Sequence, residues 1–293
     1  MTDVLGESVS LPSRLGVTAQ VRDGELTMQL EPSAEVIRNG AVRASVLSFM
    51  IDAVAGIVLD DDPDAWTLTT DMTVRMRPIP APAFITTRST ILRRGRRSGT
   101  ARVDLVTADG APVGTGAIGF ARVPRRETDP PKPQVTLERI TSLFRGPSLL
   151  THPLRDEAGI MVLEAADGIV EVPVTNDLRN PAGTLQGAMV ALVAEVAAEE
   201  LVSTRFDLPA VVIDLDLRYL AQTGDGPVRT RSTLLGDGPD APVQVELFDL
   251  SRDRLTTLVY ARAVLIPDSS SGAGTAGRMH RPGERPDANG GTQ

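Results

Sequence analysis

Cysteine is absent from all 293 residues. That one absence removes thiolate nucleophiles, cysteine-ligated zinc and disulfides, and it fits a reducing, cytoplasmic compartment. Histidine is nearly absent. Only His152, in a connecting segment, and His280, in a Gly/Ser/Pro-rich tail, occur. A Ser-His-Asp triad, a histidine-rich metal site and a histidine-dependent dehydratase are therefore disfavoured, and no metal or cofactor is expected. Aromatic residues make up 3% of the chain, so Val, Leu, Ile, Ala and Met must fill the cores that 41% apolar content supports. No run of 18 apolar residues is present, so no membrane span is expected. Residues 1–14 lack the basic-then-apolar pattern of a signal peptide. Basic residues are the minority, 30 against 38 acidic, a net of −8, which weighs against nucleic-acid binding. The densest basic run, Arg93-Arg94-Gly95-Arg96-Arg97, reads as a solvated turn, with a local anion site such as a cofactor phosphate as the sharper alternative.

What the chain does contain is a repeat. Shifted by 143 positions, Thr87-Arg88-Ser89-Thr90 falls on Thr230-Arg231-Ser232-Thr233, Asp71 on Asp214, Arg75 on Arg218, Gly40 on Gly183, Asp52 on Glu195 and Pro124 on Pro267. One register without gaps over some 85 residues points to a duplication: two fused copies of one fold.

Each copy predicts the same order. In the first, a hairpin over 17–31 turns at Asp23-Gly24, and a helix over 40–59 ends in an Asp-rich turn. Strands follow at 66–76, 84–94, 100–107 and 113–123, separated by Pro78-Ile79-Pro80, Arg94-Gly95 and Asp109-Gly110. In the second, opening strands over 160–174 turn at Asp167-Gly168. A helix over 183–201 follows, then strands at 210–220, 228–235, 243–249 and 256–266. The expected domains are a flexible leader at 1–14, an N-terminal unit at 15–124 and a connector at 125–150 with a short helix over 136–145. A C-terminal unit at 151–267 and a disordered tail at 268–293 complete the chain.

The two helices share a small face with one carboxylate at its centre: Ser45, Ser48, Asp52 and Ala55 in one, Ala188, Ala191, Glu195 and Ala198 in the other. Gly187 and Glu195 are eight residues apart, about 12 Å along an α-helix, too far to serve one reacting carbonyl together. If a helix start supplies the oxyanion donor, the carboxylate must come from the other copy. Gly187 then pairs with Asp52, and Ala44 with Glu195.

Asn180-x-x-Gly183-x-x-Gln186-Gly187, with an acid nine residues after Gln186, resembles the signature of the PaaI-type hotdog thioesterases, Asn-x-x-Gly-x-x-His-Gly-Gly and then an acid at that spacing. The resemblance implies an α+β fold: two tandem hotdog domains, each a long helix wrapped by a curled antiparallel sheet, forming an intramolecular pseudo-dimer. It implies hydrolysis of acyl-CoA thioesters at a composite site between the halves. Carried over, Gly187 N–H holds the thioester oxygen with help from Asn180, Gln186 orients the loop, and Asp52 activates water or attacks directly. Thr69 or Thr70 positions that water, and Arg43, Ala44, Thr69, Thr70 and Gly183 are the expected substrate-binding residues. Here Gln186 replaces the usual His, Ala188 the second Gly, and Glu195 the usual Asp. Copy one carries Ile37, Arg43 and Ala44 where copy two has Asn180, Gln186 and Gly187. The second composite site of Arg43, Ala44 and Glu195 therefore looks degenerate, with Glu195 kept as a further catalytic candidate. The expected partner is an acyl-CoA substrate, with no nucleic acid and no membrane, and a homodimer of the fused pair is possible. The alternative is a double hotdog that binds acyl-CoA or another small ligand without cleaving it.

Overall fold

The computed structural model of the chain describes residues 10–267, apart from 23, 79–83 and 134–135. In the N-terminal half, β1 (Val17–Arg22) and β2 (Glu25–Leu30) lead through the short strands β3 (Ile37–Arg38) and β4 (Ala41–Val42) into α1 (Ala44–Leu59). β5 (Ala65–Met76), β6 (Ile85–Arg94), β7 (Ser98–Thr107) and β8 (Pro112–Pro124) follow. Two short helices, α2 (Leu137–Leu143) and α3 (Leu154–Glu157), precede the C-terminal half. There the order recurs as β9 (Met161–Glu164), β10 (Ile169–Val172), α4 (Gly187–Phe206), β11 (Ala210–Tyr219), β12 (Val228–Leu234), β13 (Val243–Asp249) and β14 (Arg254–Leu265).

Among the described residues, twelve strands form one antiparallel sheet in the order β1-β2-β6-β7-β8-β5-β11-β14-β13-β12-β10-β9. Read outwards from the central β5–β11 pair, the two halves match strand for strand. α1 touches β2 and β5 to β8, while α4 touches β10 to β14, so each sheet half curls round its own helix. Such a helix must be apolar on nearly every side, and Ala44 to Ile51 are all buried.

The halves meet about a pseudo-two-fold axis. On the sheet, Thr73 pairs with Asp216, its own counterpart at +143, and the ladder runs from Asp71↔Arg218 to Arg75↔Asp214. On the helices, Glu195 bonds the start of α1 at Ala44 while Asp52 lies beside Gly187 at the start of α4, so α1 and α4 are antiparallel. Before Asp71 and after Arg218, β5 and β11 are no longer paired with each other, and the same holds at the other end of the ladder. Two forks result, each over the start of the opposite helix. Both carry a bulge that displaces a strand at matching positions, between Thr69 and Asp71 and between Val212 and Asp214. The repeated tetrapeptide has a structural role as well: buried Thr87 accepts from Met28 N, and Thr230 from Val170 N, each at 2.9 Å.

Several expectations need correction. α1 starts at Ala44, not at 40. Asn39 and Gly40 both take positive φ, 49° and 79°, and form the tight turn between β3 and β4 that an Asn-Gly pair favours. α4 starts at Gly187 rather than at 183 and runs on to Phe206, stopped by Asp207 in a left-handed conformation. The leader is not loose from Ser10 onward: Leu11 and Leu15 are fully buried, and Arg14 pairs with Glu157 of the other half. Gly168 turns as expected at φ 57°. Asp23, Ile79, Pro80 and the tail at 268–293 lie outside the described residues.

Candidate active site

The first fork holds a cavity of about 490 Å³ between the two halves. Asp52 enters it from the inner face of α1. Its Oδ1 accepts a 2.7 Å bond from Thr69 Oγ1, which the β5 bulge turns towards the helix. Its Oδ2 accepts from Gln186 Nε2 at 3.4 Å, across the domain boundary. Burial raises the Asp52 pKa to about 6, with the Thr69 hydrogen bond opposing. Asp52, Thr69, Gln186 and Gly187 are thus gathered at one point from three elements.

Gln186 caps α4. Its Oε1 accepts from Ala188 N (2.8 Å) and Met189 N (3.2 Å), satisfying two of the free donors of the first turn. The Gly187 N–H has no acceptor among the described residues. It lies at the positive end of the helix dipole, where it can donate to an oxygen in the cavity. Asn180 Oδ1 accepts from Ala182 N, Thr184 N and Thr184 Oγ1 and so folds the loop, and Asn180 also lines the cavity. Gly183 provides the positive φ (82°) that this loop requires. Of the two threonines, Thr69 holds Asp52, whereas Thr70 is exposed and bonds Asp71.

Tyr219, which no motif in the sequence marks, also lines the cavity. Its hydroxyl donates to Gly187 O at 3.0 Å. Burial, and then the charge of Asp52, push its phenol well above the ordinary value, so it stays a donor. A Cβ at position 187 would lie 3.3 Å from that hydroxyl and 3.8 Å from Asp52 Oδ2, so glycine is what lets both groups approach the helix start. The repeat offered a signal, since the counterpart of Tyr219 is Met76.

The second fork brings Arg43, Ala44 and Glu195 together but leaves no room at the helix start. Glu195 Oε1 accepts from Ala44 N at 2.7 Å, and Oε2 from Ser45 N at 3.3 Å and from Ser45 Oγ. Arg43 bridges Glu195 (3.6 Å) and Glu199 (3.1 Å), and all three side chains are buried. Burial raises Glu199 to about 7, with Glu195 adding to the rise and Arg43 opposing it. Burial alone would lower Arg43, but the two carboxylates outweigh it and hold it above its ordinary value. Asn39 Nδ2 donates to Ala210 O at 2.9 Å and fills the edge of this fork. Glu195, expected as a second catalytic carboxylate, is here the cap of α1. Elsewhere, Arg94 of the basic run donates to Val58 O (3.0 Å) and pairs with Asp61, closing the end of α1. His152 is exposed beside Glu157. No three His, Asp or Glu side chains are grouped to hold a metal among the described residues, and no helix there is long and apolar enough to cross a membrane.

This architecture is a double hotdog. A family model described as "Acyl-CoA thioesterase C-terminal domain" matches residues 19–117, within the N-terminal unit. No curated protein matches the chain by sequence. Among solved structures, the 12:0-ACP thioesterase from Umbellularia californica is similar at 11% identity and TM-score 0.56, over 82% of this chain and 97% of that one. The tesB protein of Mycobacterium avium subs paratuberculosis is similar at 12% and 0.55, over 88% and 98%. A hot dog fold protein from Alicyclobacillus acidocaldarius is similar at 14% and 0.56, over 89% and 99%. At these identities the likeness is one of fold.

Proposed function

We propose that the chain hydrolyses an acyl-CoA thioester in the open fork, with Asp52 as the base. The observation that carries this is one arrangement. A carboxylate held by Thr69 and Gln186 faces the start of a helix from the other half, where the Gly187 N–H is unclaimed. The match to an acyl-CoA thioesterase domain and the PaaI-like signature at Asn180 to Gly187 support the substrate class.

The step balances with these residues alone. Asp52 takes a proton from a water whose oxygen attacks the thioester carbon. The carbonyl electron pair moves to oxygen, where the Gly187 N–H and the α4 dipole stabilise the charge. Collapse breaks the C–S bond, and the departing thiolate recovers the proton from Asp52. The products are a free acid and a thiol. A base must be ionised, so with a pKa of about 6 activity rises as pH passes 6 and levels off above it.

The test is CoA release from a panel of acyl-CoAs, followed with a thiol reagent. Asp52→Ala is expected to lose about 10³-fold or more in kcat, while Glu195→Gln keeps near-native turnover. Equal loss in both variants, or full activity in Asp52→Ala, defeats the site assignment. Tight binding without release across the whole panel establishes the non-catalytic binding protein instead.

A further inference from the structure

Away from Asp52, the cavity follows α1 towards its C-terminal end. Ala53, Gly56 and Ile57 form the helix side of this arm, and Trp66 and Phe120 belong to the opposite wall. At that end the lining includes Lys132 and Pro133 of the connector, beside Asp60 of the N-terminal unit.

The connector is fastened there. Lys132 Nζ donates to Asp60 Oδ1 (2.7 Å), Asp62 O (2.6 Å) and Ala65 O (2.7 Å), and its side chain is 8% exposed. An ammonium has three donors, and all three are used, so none remains for a ligand. The connector is held at a second point as well: Trp66 Nε1 donates to Asp129 Oδ2 at 3.0 Å, and Arg125 lies over the Trp66 ring at 5.5 Å. Gly56 is the counterpart of Glu199, which fills the same place in the sealed fork, and a side chain at 56 would press on Phe120, whose ring lies 3.6 Å from where its Cβ would stand.

We infer that the connector, through Lys132 and Pro133, sets the reach of the acyl slot, and that the substrates are medium-chain acyl thioesters with apolar ends. This rests on the hydrolase reading above. From Asp52 to Asp60 is eight residues, about 12 Å of helix axis. An extended chain advances about 1.2 Å per bond, so the arm takes on the order of ten carbons. Because the Lys132 charge is already satisfied, the arm offers that end no cation for a terminal carboxylate.

The experiment uses the full chain and straight acyl-CoAs from butanoyl to hexadecanoyl, with a dicarboxylic monothioester as control. Turnover is read as CoA release. Binding is read separately from the fluorescence of Trp66, the single tryptophan of the chain and part of the cavity wall. In the native protein both profiles are expected to fall at least about tenfold beyond about ten carbons, and the dicarboxylic compound to bind poorly. Lys132→Ala moves the fall to longer chains, and Gly56→Val moves it to shorter ones while butanoyl-CoA is still accepted. Unchanged profiles in both variants overturn the inference and leave hydrolysis standing. Binding profiles that shift in opposite directions with no CoA release in any protein uphold the connector's control of slot length and defeat the hydrolase reading, and with it the substrate class.

Discussion

The two forks are built from matching residues on one scaffold, yet one is open and the other sealed. At each, a carboxylate from one helix faces the start of the other. Glu195 is a methylene longer than Asp52, and it reaches the backbone N–H groups of Ala44 and Ser45. Asp52 stops short of the Gly187 N–H and is held by side chains instead. α1 is thus capped by the partner helix, while α4 is capped by its own Gln186. The remaining differences reinforce this. Where the open fork has Gln186, Gly56, Thr69 and Tyr219, the sealed one has Arg43, Glu199, Val212 and Met76. Arg43 ties both acids of its fork together, and Glu199 occupies the place that Gly56 leaves empty in the other. A helix start whose donors are taken is a stability element, and one with a donor to spare is a candidate oxyanion site.

The largest effect should come from making the open fork resemble the sealed one. Asp52→Glu adds the methylene that Glu195 has, letting the carboxylate cap α4 at Gly187. CoA release should fall about 10³-fold, on the order of 4 kcal/mol, while thermal unfolding moves up. A variant that keeps its activity would break the comparison at its root.

Next comes the seal itself. Arg43→Met leaves Glu195 and Glu199 buried together without their cation. Urea unfolding should show a loss of about 3–5 kcal/mol, with catalytic rate per folded molecule unchanged because Asp52 lies at the other fork. A loss below about 1 kcal/mol would mean that the triad does not hold the sealed fork shut.

The smallest effect concerns pH. The folded-state pKa of Glu199, about 7, lies above its ordinary value of 4.5, so the folded chain binds this proton more tightly than the unfolded chain does. The stability it contributes is present in full below 4.5 and is lost as pH rises through about 7. Glu199→Gln should flatten the decline of thermal stability across that window, by about 1 kcal/mol or more. An identical slope in native and variant would remove the titrating carboxylate from the account.

Much of the fold was legible because it is written twice. The offset of 143 aligns both bulges, both helix acids and the positive-φ glycines Gly40 and Gly183. The crossed pairing of acids and helix starts follows from helix length given an oxyanion donor at a helix start, since eight residues cannot bring Gly187 and Glu195 together. Both helices start four residues later than the pattern predicts, because Gly40 and Gly183 take positive φ in turns that precede them. Tyr219 and Lys132 belong to no local pattern, since each acts on a residue far away in sequence, Gly187 and Asp60.

By itself, the sequence determined the duplication, the order of elements in each copy and the place of one carboxylate on each helix, since periodicity and spacing are local properties of the chain. Which fork stays open was decided only when the halves packed together. A single methylene, one arginine and one glycine set whether a buried carboxylate reaches the donors of a neighbouring helix, and that reach is a distance between elements that the linear order does not contain.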